Sequence, residues 1–197
     1  MSDKNPIEMT IDELVAAFTP YDDQRRLVIL VGVAASGKST IGDGLARAGF
    51  RRLSFDLVRA ELFGEEAVQG SGKRVGRRFR ELLAKALSDG VNIVVDNTNF
   101  MSDMRWQVID QGREAGVTDI HIVVMDTPLA ECFRRNRLRQ RQLPETSILF
   151  HHQELYGKYW PRKKEGAITI VRPTTSPGRV SVSGFAAHNH KHSRKEG

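Results

Sequence analysis

The segment from Gly32 to Ser39 constrains the fold of this chain more than any other feature. Its sequence, GVAASGKS, fits the pattern G-x-x-x-x-G-K-[ST] at every fixed position. The apolar run Leu27–Val31 precedes it and a helical pattern follows, which is the strand–loop–helix context that the motif requires. Glycines let backbone N–H groups curl around an anion, and the helix N-terminus adds positive potential. We therefore expect a nucleoside triphosphate site, with Lys38 on the β- and γ-phosphates and Ser39 on Mg²⁺.

Strand-like and helix-like segments alternate along the chain, which predicts an α/β fold with a parallel sheet. After Leu27–Val31, the predicted strands are Arg51–Ser54, Val91–Val95, Ile120–Met125 and Ala167–Val171. The predicted helices are Thr10–Phe18, a segment ending near Ala48, Asp56–Phe63, Lys73–Ser88, Ser102–Ala115, Leu129–Gln142 and Glu145–Tyr156, with Gly64–Gly72 as a loop.

Composition divides the chain into three parts. Residues 1–26 are expected to be a lead-in with one short helix, and residues 27–172 the phosphate-binding domain, with a helical lid at about residues 129–156. Residues 173–197 are rich in Ser, Gly, Lys and His and poor in apolar residues. This composition predicts a disordered, basic, His-containing tail, with an added edge strand at Val180–Phe185 as the alternative.

Charge and cysteine usage limit the partners and the compartment. The chain has 30 Lys and Arg against 24 Asp and Glu, a formal net charge of +6. This excess favours an anionic partner without choosing among nucleic acid, nucleotide and phosphate. No apolar run approaches the roughly 20 residues that span a bilayer, so no membrane partner is expected. The single cysteine, Cys132, excludes an internal disulfide and indicates a reducing, cytoplasmic location.

A carboxylate and an arginine follow the second predicted strand. Strand C-termini of an open α/β sheet face the ligand crevice, which places Asp56 beside the phosphate-binding loop. Arg59 lies three residues later on the same helical face. Asp56 could take the proton of an attacking hydroxyl while Arg59 holds a phosphate of the acceptor. An ordinary surface ion pair between the two residues is an equally good interpretation of the spacing.

The third strand ends in Asp96, the Walker B pattern in which a carboxylate holds Mg²⁺ directly or through water. An Asx turn at the end of the strand is the alternative interpretation. Further along, a predicted lid helix is dense in arginine, and Arg135 and Arg139 share one of its faces. That face could close on the phosphates of ATP, and the alternative is a solvated basic surface.

Four elements in this order resemble the P-loop 5′-hydroxyl polynucleotide kinase family, which includes phage polynucleotide kinase and bacterial ATP-binding kinases. They are Gly32–Thr40, Asp56-x-x-Arg59, Thr98-Asn99, and Arg135-Asn136-x-x-Arg139 followed by Pro144. The resemblance runs from about Leu27 to Tyr156. It implies an adenylate-kinase-like, three-layer P-loop NTPase fold with about five parallel strands and a helical lid.

The resemblance also implies roles for single residues. Lys38, Asp56 and Arg139 would be catalytic, with Asp56 as the general base and Arg139 stabilising the transition state. Asp56, Arg59 and Asn99 would bind the acceptor, and Ser39 and Asp96 would hold Mg²⁺. The expected ATP-binding residues are Gly32, Ala35, Ser36, Gly37, Lys38, Ser39, Thr40, Arg135 and Arg139.

The function predicted from these features is ATP- and Mg²⁺-dependent transfer of the γ-phosphate to the 5′-OH end of DNA or RNA. The first alternative is a small-molecule or sugar-nucleotide kinase of the same fold, similar to the zeta toxins. The second is a non-catalytic protein that binds nucleic acid in an ATP-dependent way. A GTPase is disfavoured because the chain lacks an N-K-x-D segment.

Overall fold

The computed structural model describes residues 5–20, 24–64 and 71–184, which form one sheet with helices on both faces. The strands are β1 (Ile7–Thr10), β2 (Arg26–Val31), β3 (Arg51–Leu53), β4 (Ile93–Asp96), β5 (Asp119–Met125), β6 (Ala167–Pro173) and β7 (Arg179–Ser183). The helices are α1 (Ile11–Phe18), α2 (Lys38–Arg47), α3 (Phe55–Phe63), α4 (Gly72–Ser88), α5 (Ser102–Glu114), α6 (Leu129–Arg137) and α7 (Glu145–Gly157).

The strand order is β1-β7-β6-β5-β2-β4-β3. Strands β6, β5, β2, β4 and β3 run parallel to one another, whereas β7 pairs antiparallel with both β6 and β1. The predicted α/β fold with about five parallel strands is therefore confirmed. Two antiparallel strands at one edge bring the sheet in the described residues to seven strands.

Alternate residues of β2 point to opposite faces of the sheet and build two cores. Leu27 and Ile29 pack with α4 and α5 on one face. Val28 and Leu30 pack with α1 and α2 on the other. All six residues of β2 are buried, which explains the continuous apolar run Leu27–Val31 in the sequence. The sheet is thereby fixed between two helical layers, and the carboxyl ends of its parallel strands lie at one edge.

Both chain segments expected to lie outside the domain contribute strands to the sheet. β1 falls in the predicted lead-in, and β7 falls in the predicted tail, so the prediction of disorder is wrong for residues 173–184. Val180 and Val182 alternate with polar residues, and both valines are buried in the α1–α2 core. Two hydrophobic anchors suffice because β1 and β6 satisfy the backbone hydrogen bonds of β7 on both sides.

The lid helix is shorter than predicted, because α6 ends at Arg137 and not at Gln142. The side chain of Asn136 accepts a hydrogen bond from the N–H of Leu143 and donates one to its carbonyl, at 3.1 and 2.8 Å. These two bonds close residues 137–142 into a loop. Arg139 consequently lies in this loop, and the expectation that it shares a helical face with Arg135 is wrong.

Some predictions fall on residues 65–70 and 185–197, which lie outside the described residues. They include most of the predicted Gly64–Gly72 loop and the His-containing end of the chain. Within the described ranges, no helix has the length and apolar character needed to cross a membrane.

Candidate functional site

The phosphate-binding loop connects β2 to α2 and folds around the start of that helix. Gly37 has φ +101° and Ala35 has φ +63°, so the chain turns sharply through the left-handed region at both residues. A Cβ atom on Gly32 would lie 2.7 Å from Ser36 Oγ, which excludes a larger residue there. No described side chain caps α2, so the N–H groups of its first turn are open to an anion. This cradle fits the phosphates of a nucleotide.

Lys38 folds back into the loop. Its Nζ donates to the carbonyl of Val33 at 2.7 Å and lies 3.5 Å from Ser36 Oγ. Burial lowers the pKa of Lys38 to about 8, and Arg139 acts in the same direction, whereas the Asp96 carboxylate opposes the shift. A phosphate oxygen in the cradle would supply the strong counter-charge that the ammonium lacks, so the site is electrostatically poised for a polyanion.

Asp56 and Arg59 lie together on the first turns of α3, as the spacing predicts. Ser54 caps this helix by accepting from the N–H of Leu57 at 3.0 Å. Arg59 Nη1 donates to Asp56 Oδ1 at 2.5 Å, and Arg141 Nη1 lies 3.6 Å from the same oxygen. Asp56 thus sits between two guanidinium groups at the end of β3, with half of its side chain exposed.

Asp96 is buried at the end of β4 and bonded to Arg52. The Nε and Nη2 atoms of Arg52 lie 3.0 and 2.5 Å from Asp96 Oδ2, while Nη1 binds Asp43 at 2.6 Å. Ser39, at the start of α2, keeps an exposed side chain. Among the described residues, no group of three or more His, Cys, Asp or Glu could form a metal cage. A cation here would therefore take most of its ligands from phosphate oxygens and water, as Mg²⁺ commonly does.

Asn99 does not reach the site, contrary to the expectation that it helps to bind an acceptor. Its side chain is 2% exposed and donates from Nδ2 to the carbonyl of Leu30 at 2.7 Å. The residue has φ +45°, a conformation that asparagine tolerates better than most residues. Its neighbours Asn97 and Thr98 line the cavity instead. Asn97 Oδ1 accepts from the N–H of Phe55 at 2.8 Å and so fixes the start of α3.

The segment predicted to be a lid, α6 and the loop that follows it, contributes arginines to the site. Arg135 Nε donates to Glu131 Oε1 at 2.6 Å. Its Nη1 lies 3.4 Å from the position that a Cβ on Gly37 would occupy, so the guanidinium overhangs the phosphate-binding loop. Arg139 is exposed, and no described carboxylate forms an ion pair with it. The structure therefore places one lid arginine above the loop and leaves a second one available to an anion.

A single cavity of about 940 Å³ joins these groups. Of the site residues predicted from the sequence, only Gly32 and Asn99 are not part of its lining. The predicted site residues that do line the cavity are Ala35, Ser36, Gly37, Lys38, Ser39, Thr40, Asp56, Arg59, Asp96, Arg135 and Arg139.

Sequence reasoning missed several parts of the cavity wall. Thr127, just after β5, lines it and donates from Oγ1 to the carbonyl of Ser36 at 2.8 Å, which braces the loop. His151 on α7 lines it as well, and so do Ile11 and the β6–β7 turn at residues 173–179. The polar residue at the end of an apolar strand could have identified Thr127. His151, Ile11 and the β6–β7 turn carry no such signal in the sequence. Ile11 and the turn reach the site only because β7 pairs with β1 and β6.

Comparisons with known proteins agree with this geometry. A family model described as an AAA domain matches residues 27–152. A protein of Autographa californica nuclear polyhedrosis virus, "Putative bifunctional polynucleotide kinase/RNA ligase", is 26% identical over 154 residues. That match covers 70% of this chain and 21% of the viral protein, so this chain spans about a fifth of the relative's length.

Two solved structures show the same core. A chain of the Pnkp1/Rnl/Hen1 RNA repair complex is 25% identical with a TM-score of 0.59, over 68% of this chain and 45% of that chain. The Mycobacterium tuberculosis APS kinase CysC, in complex with AMPPNP and APS, is 20% identical with a TM-score of 0.50. It matches 78% of this chain and 91% of its own, and at this identity it shows a likeness of fold. The chain therefore belongs to the AAA domain family, and it is similar to proteins of the polynucleotide kinase type.

Proposed function

We propose that the protein transfers the γ-phosphate of ATP to the 5′-OH end of DNA or RNA. The observation that carries the proposal is the position of Asp56, which shares one cavity with the phosphate-binding loop and the lid arginines. The polynucleotide kinase/RNA ligase among the relatives supports a nucleic-acid end as the acceptor. The basic charge of the chain is consistent with such a partner.

The strand order supports separate sides of the cavity for the phosphate donor, ATP, and for the acceptor. The phosphate-binding loop follows β2, in the middle of the sheet, and α3 with Asp56 follows β3 at one edge. The β6–β7 turn lies on the other side of the loop. The γ-phosphate must point towards the acceptor hydroxyl, so the nucleoside of ATP would extend in the opposite direction, towards the β6–β7 turn. This arrangement keeps donor and acceptor apart and lines up their reacting atoms.

The chemistry follows from the groups at the centre of the cavity. Asp56 would accept the proton of the 5′-OH while the hydroxyl oxygen attacks the γ-phosphorus. The bond between the γ-phosphorus and the bridging oxygen of the β-phosphate would break and release ADP. Arg59 would bind a phosphate of the acceptor, which would draw its guanidinium away from Asp56 and free the carboxylate. Lys38 and Arg139 would neutralise charge on the transferring phosphoryl group.

The remaining predicted residues would hold ATP and its metal. The backbone from Gly32 to Gly37 and the side chains of Ser39 and Thr40 would surround the phosphates, with Arg135 above them. Ser39 would bind Mg²⁺ directly, and Asp96, still paired with Arg52, would act through water. Bound Mg²⁺ would offset the negative charge of the phosphates.

The test is transfer of labelled phosphate from [γ-³²P]ATP to a 5′-OH oligonucleotide, in DNA and RNA versions. A matched 5′-phosphorylated oligonucleotide is the control for the acceptor. Labelling of the 5′-OH ends alone is the expected result. Intact ATP binding without labelling of any end would refute the proposal and favour a small-molecule acceptor, as in the kinase neighbours of the same fold.

A further inference from the structure

Three aromatic rings are clustered where α7 meets the loop that follows β4. The rings of Phe100 and His151 are stacked, with centroids 4.3 Å apart and an interplanar angle of 24°. Phe150 contacts both, with its centroid 6.3 Å from that of Phe100 and 5.9 Å from that of His151. Each of the three rings therefore contacts the other two.

The cluster is open on its outer side. Phe100 is 8% exposed and forms the buried base, whereas Phe150 is 55% exposed. Ile148 and Leu155 of the same helix are fully buried in the core, whereas the side chain of Phe150 is exposed to solvent. An exposed aromatic ring that is already held in place loses little side-chain entropy when a ligand stacks on it.

His151 connects this cluster to the cavity, whose wall it helps to form. Its buried Nδ1 has no hydrogen-bond partner among the described residues. Burial, with a smaller contribution from Lys38, lowers the pKa of His151 and favours the neutral ring. The imidazole is therefore stacked on Phe100, and its Nδ1 makes no hydrogen bond with the described residues.

The position in the sheet places the cluster on the acceptor side. Phe100 follows β4, which lies between the phosphate-binding strand β2 and the strand β3 that leads to Asp56. The loop that precedes α7 carries Arg141, which is 3.6 Å from Asp56. An acceptor whose hydroxyl reaches Asp56 therefore has arginines beside it and His151 in the cavity wall. The ring of Phe150 lies next to His151, outside the lining of the cavity.

We propose that Phe150 and His151 form a stacking platform for the nucleobases at the 5′ end of a single-stranded acceptor. The inference rests on the proposed function and deepens it, because it names a base-bearing strand as the substrate. Cationic groups for phosphates next to aromatic faces for bases are the combination by which proteins hold single strands without reading their sequence. Stacking of this kind is worth about tenfold or more in binding per base.

The test is a double-mutant cycle between the protein and the acceptor. Values of kcat/KM are measured for a single-stranded 5′-OH oligonucleotide and for the same strand with an abasic first nucleotide. The proteins are the wild type, Phe150→Ala, Phe150→Tyr and Leu149→Ala. Leu149 is the matched control, since it is the neighbouring exposed apolar residue of α7 and carries no aromatic ring on which a base could stack.

The wild type, Phe150→Tyr and Leu149→Ala should each lose about tenfold or more on the abasic strand. Phe150→Ala should lose a similar factor on the normal strand and almost nothing further on the abasic one. Independent, multiplying losses in Phe150→Ala would overturn the platform while leaving the proposed function standing. Failure of the wild type to label any 5′-OH end would overturn the proposed function and the platform with it.

Discussion

Replacing Lys38 with methionine should stabilise the protein in the absence of nucleotide, although it removes a residue of the binding loop. Lys38 is 8% exposed, and within the described part of the chain its ammonium has only the Val33 carbonyl at 2.7 Å and Ser36 Oγ at 3.5 Å as hydrogen-bond partners. Neither partner carries a full charge. Burial therefore works against the protonated form, which is why the pKa of Lys38 falls to about 8.

The size of the effect follows from this pKa. A decrease from 10.5 to about 8 corresponds to a cost of about 3 kcal/mol for burying the charge at neutral pH. Methionine fills similar space without the charge, but it leaves the Val33 carbonyl without its donor, which costs about 1 kcal/mol. The net gain is about 2 kcal/mol in the free energy of unfolding. For a chain of this length, that corresponds to an increase of about 4–8 °C in Tm.

The difference in unfolding free energy between Lys38→Met and the wild type should depend on pH. This dependence distinguishes the burial of a charge from an effect of packing. Between about pH 8 and 10.5, Lys38 binds a proton in the unfolded chain and has lost it in the folded one, so the stability of the wild type rises with pH. The Lys38→Met protein lacks this rise, and its advantage should be full below pH 8. Because the rise of about 3 kcal/mol exceeds the net gain of about 2 kcal/mol, the wild type should be the more stable protein by about pH 10.5. Burial raises the pKa of Cys132 to about 11, but that thiol is common to both proteins.

The assay is urea unfolding of both proteins without nucleotide, at pH 7 and at several values up to pH 10. Lys85→Met is the control, because Lys85 is 69% exposed and pairs only with Asp89 on the surface. ATP should raise the stability of the wild type and leave that of Lys38→Met nearly unchanged. A variant that is less stable than the wild type at pH 7, or an advantage independent of pH, would refute the reasoning.

Three further predictions concern the lid and the buried polar groups. Arg139→Ala should lower kcat more than it raises the KM for ATP in steady-state kinetics, and an effect on KM alone would make Arg139 a ground-state binder. Arg105→Ala should cost about 3–5 kcal/mol in urea unfolding, because it leaves the buried carboxylate of Glu165, at 2.5 Å from Arg105, without its partner. Asn99→Ala should cost about 1–3 kcal/mol through the unpaired Leu30 carbonyl. The KM for the acceptor should not change in that protein, and a large increase would restore a binding role for Asn99.

The parts of the fold that could be predicted are those in which local sequence and burial agree. β2 is apolar at five successive positions because both of its faces are covered, and the glycines of the following loop adopt backbone conformations that few residues tolerate. Asp56 and Arg59 are also brought together by local geometry, since three residues make about one turn of a helix. These features need no knowledge of distant parts of the chain.

The parts that could not be predicted depend on distant contacts or on the direction of one side chain. The sequence offers β7 only as an alternative to disorder, an edge strand at Val180–Phe185, because the strand is short and polar on one face. It is held by β1, more than 160 residues away in the sequence, and by β6. Asn97 and Asn99 follow the same strand, and nothing in their spacing shows that Asn99 turns into the core. The end of α6 depends on two hydrogen bonds between the side chain of Asn136 and the backbone of Leu143, which compete with another turn of helix.

The central claim is that Asp56 activates the hydroxyl that receives the phosphate, and Asp56→Asn tests it most directly. The measurement compares single-turnover transfer to a 5′-OH oligonucleotide with ATP affinity in the same protein, and Asp110→Asn is the control, since Asp110 is exposed on α5 and outside the cavity. The account predicts that transfer falls by about 10²–10⁴-fold in Asp56→Asn, as expected for the loss of a general base. ATP affinity should remain near that of the wild type, and Asp110→Asn should resemble the wild type in both. Retained transfer in Asp56→Asn, or an equal loss of ATP affinity, would contradict the role assigned to Asp56.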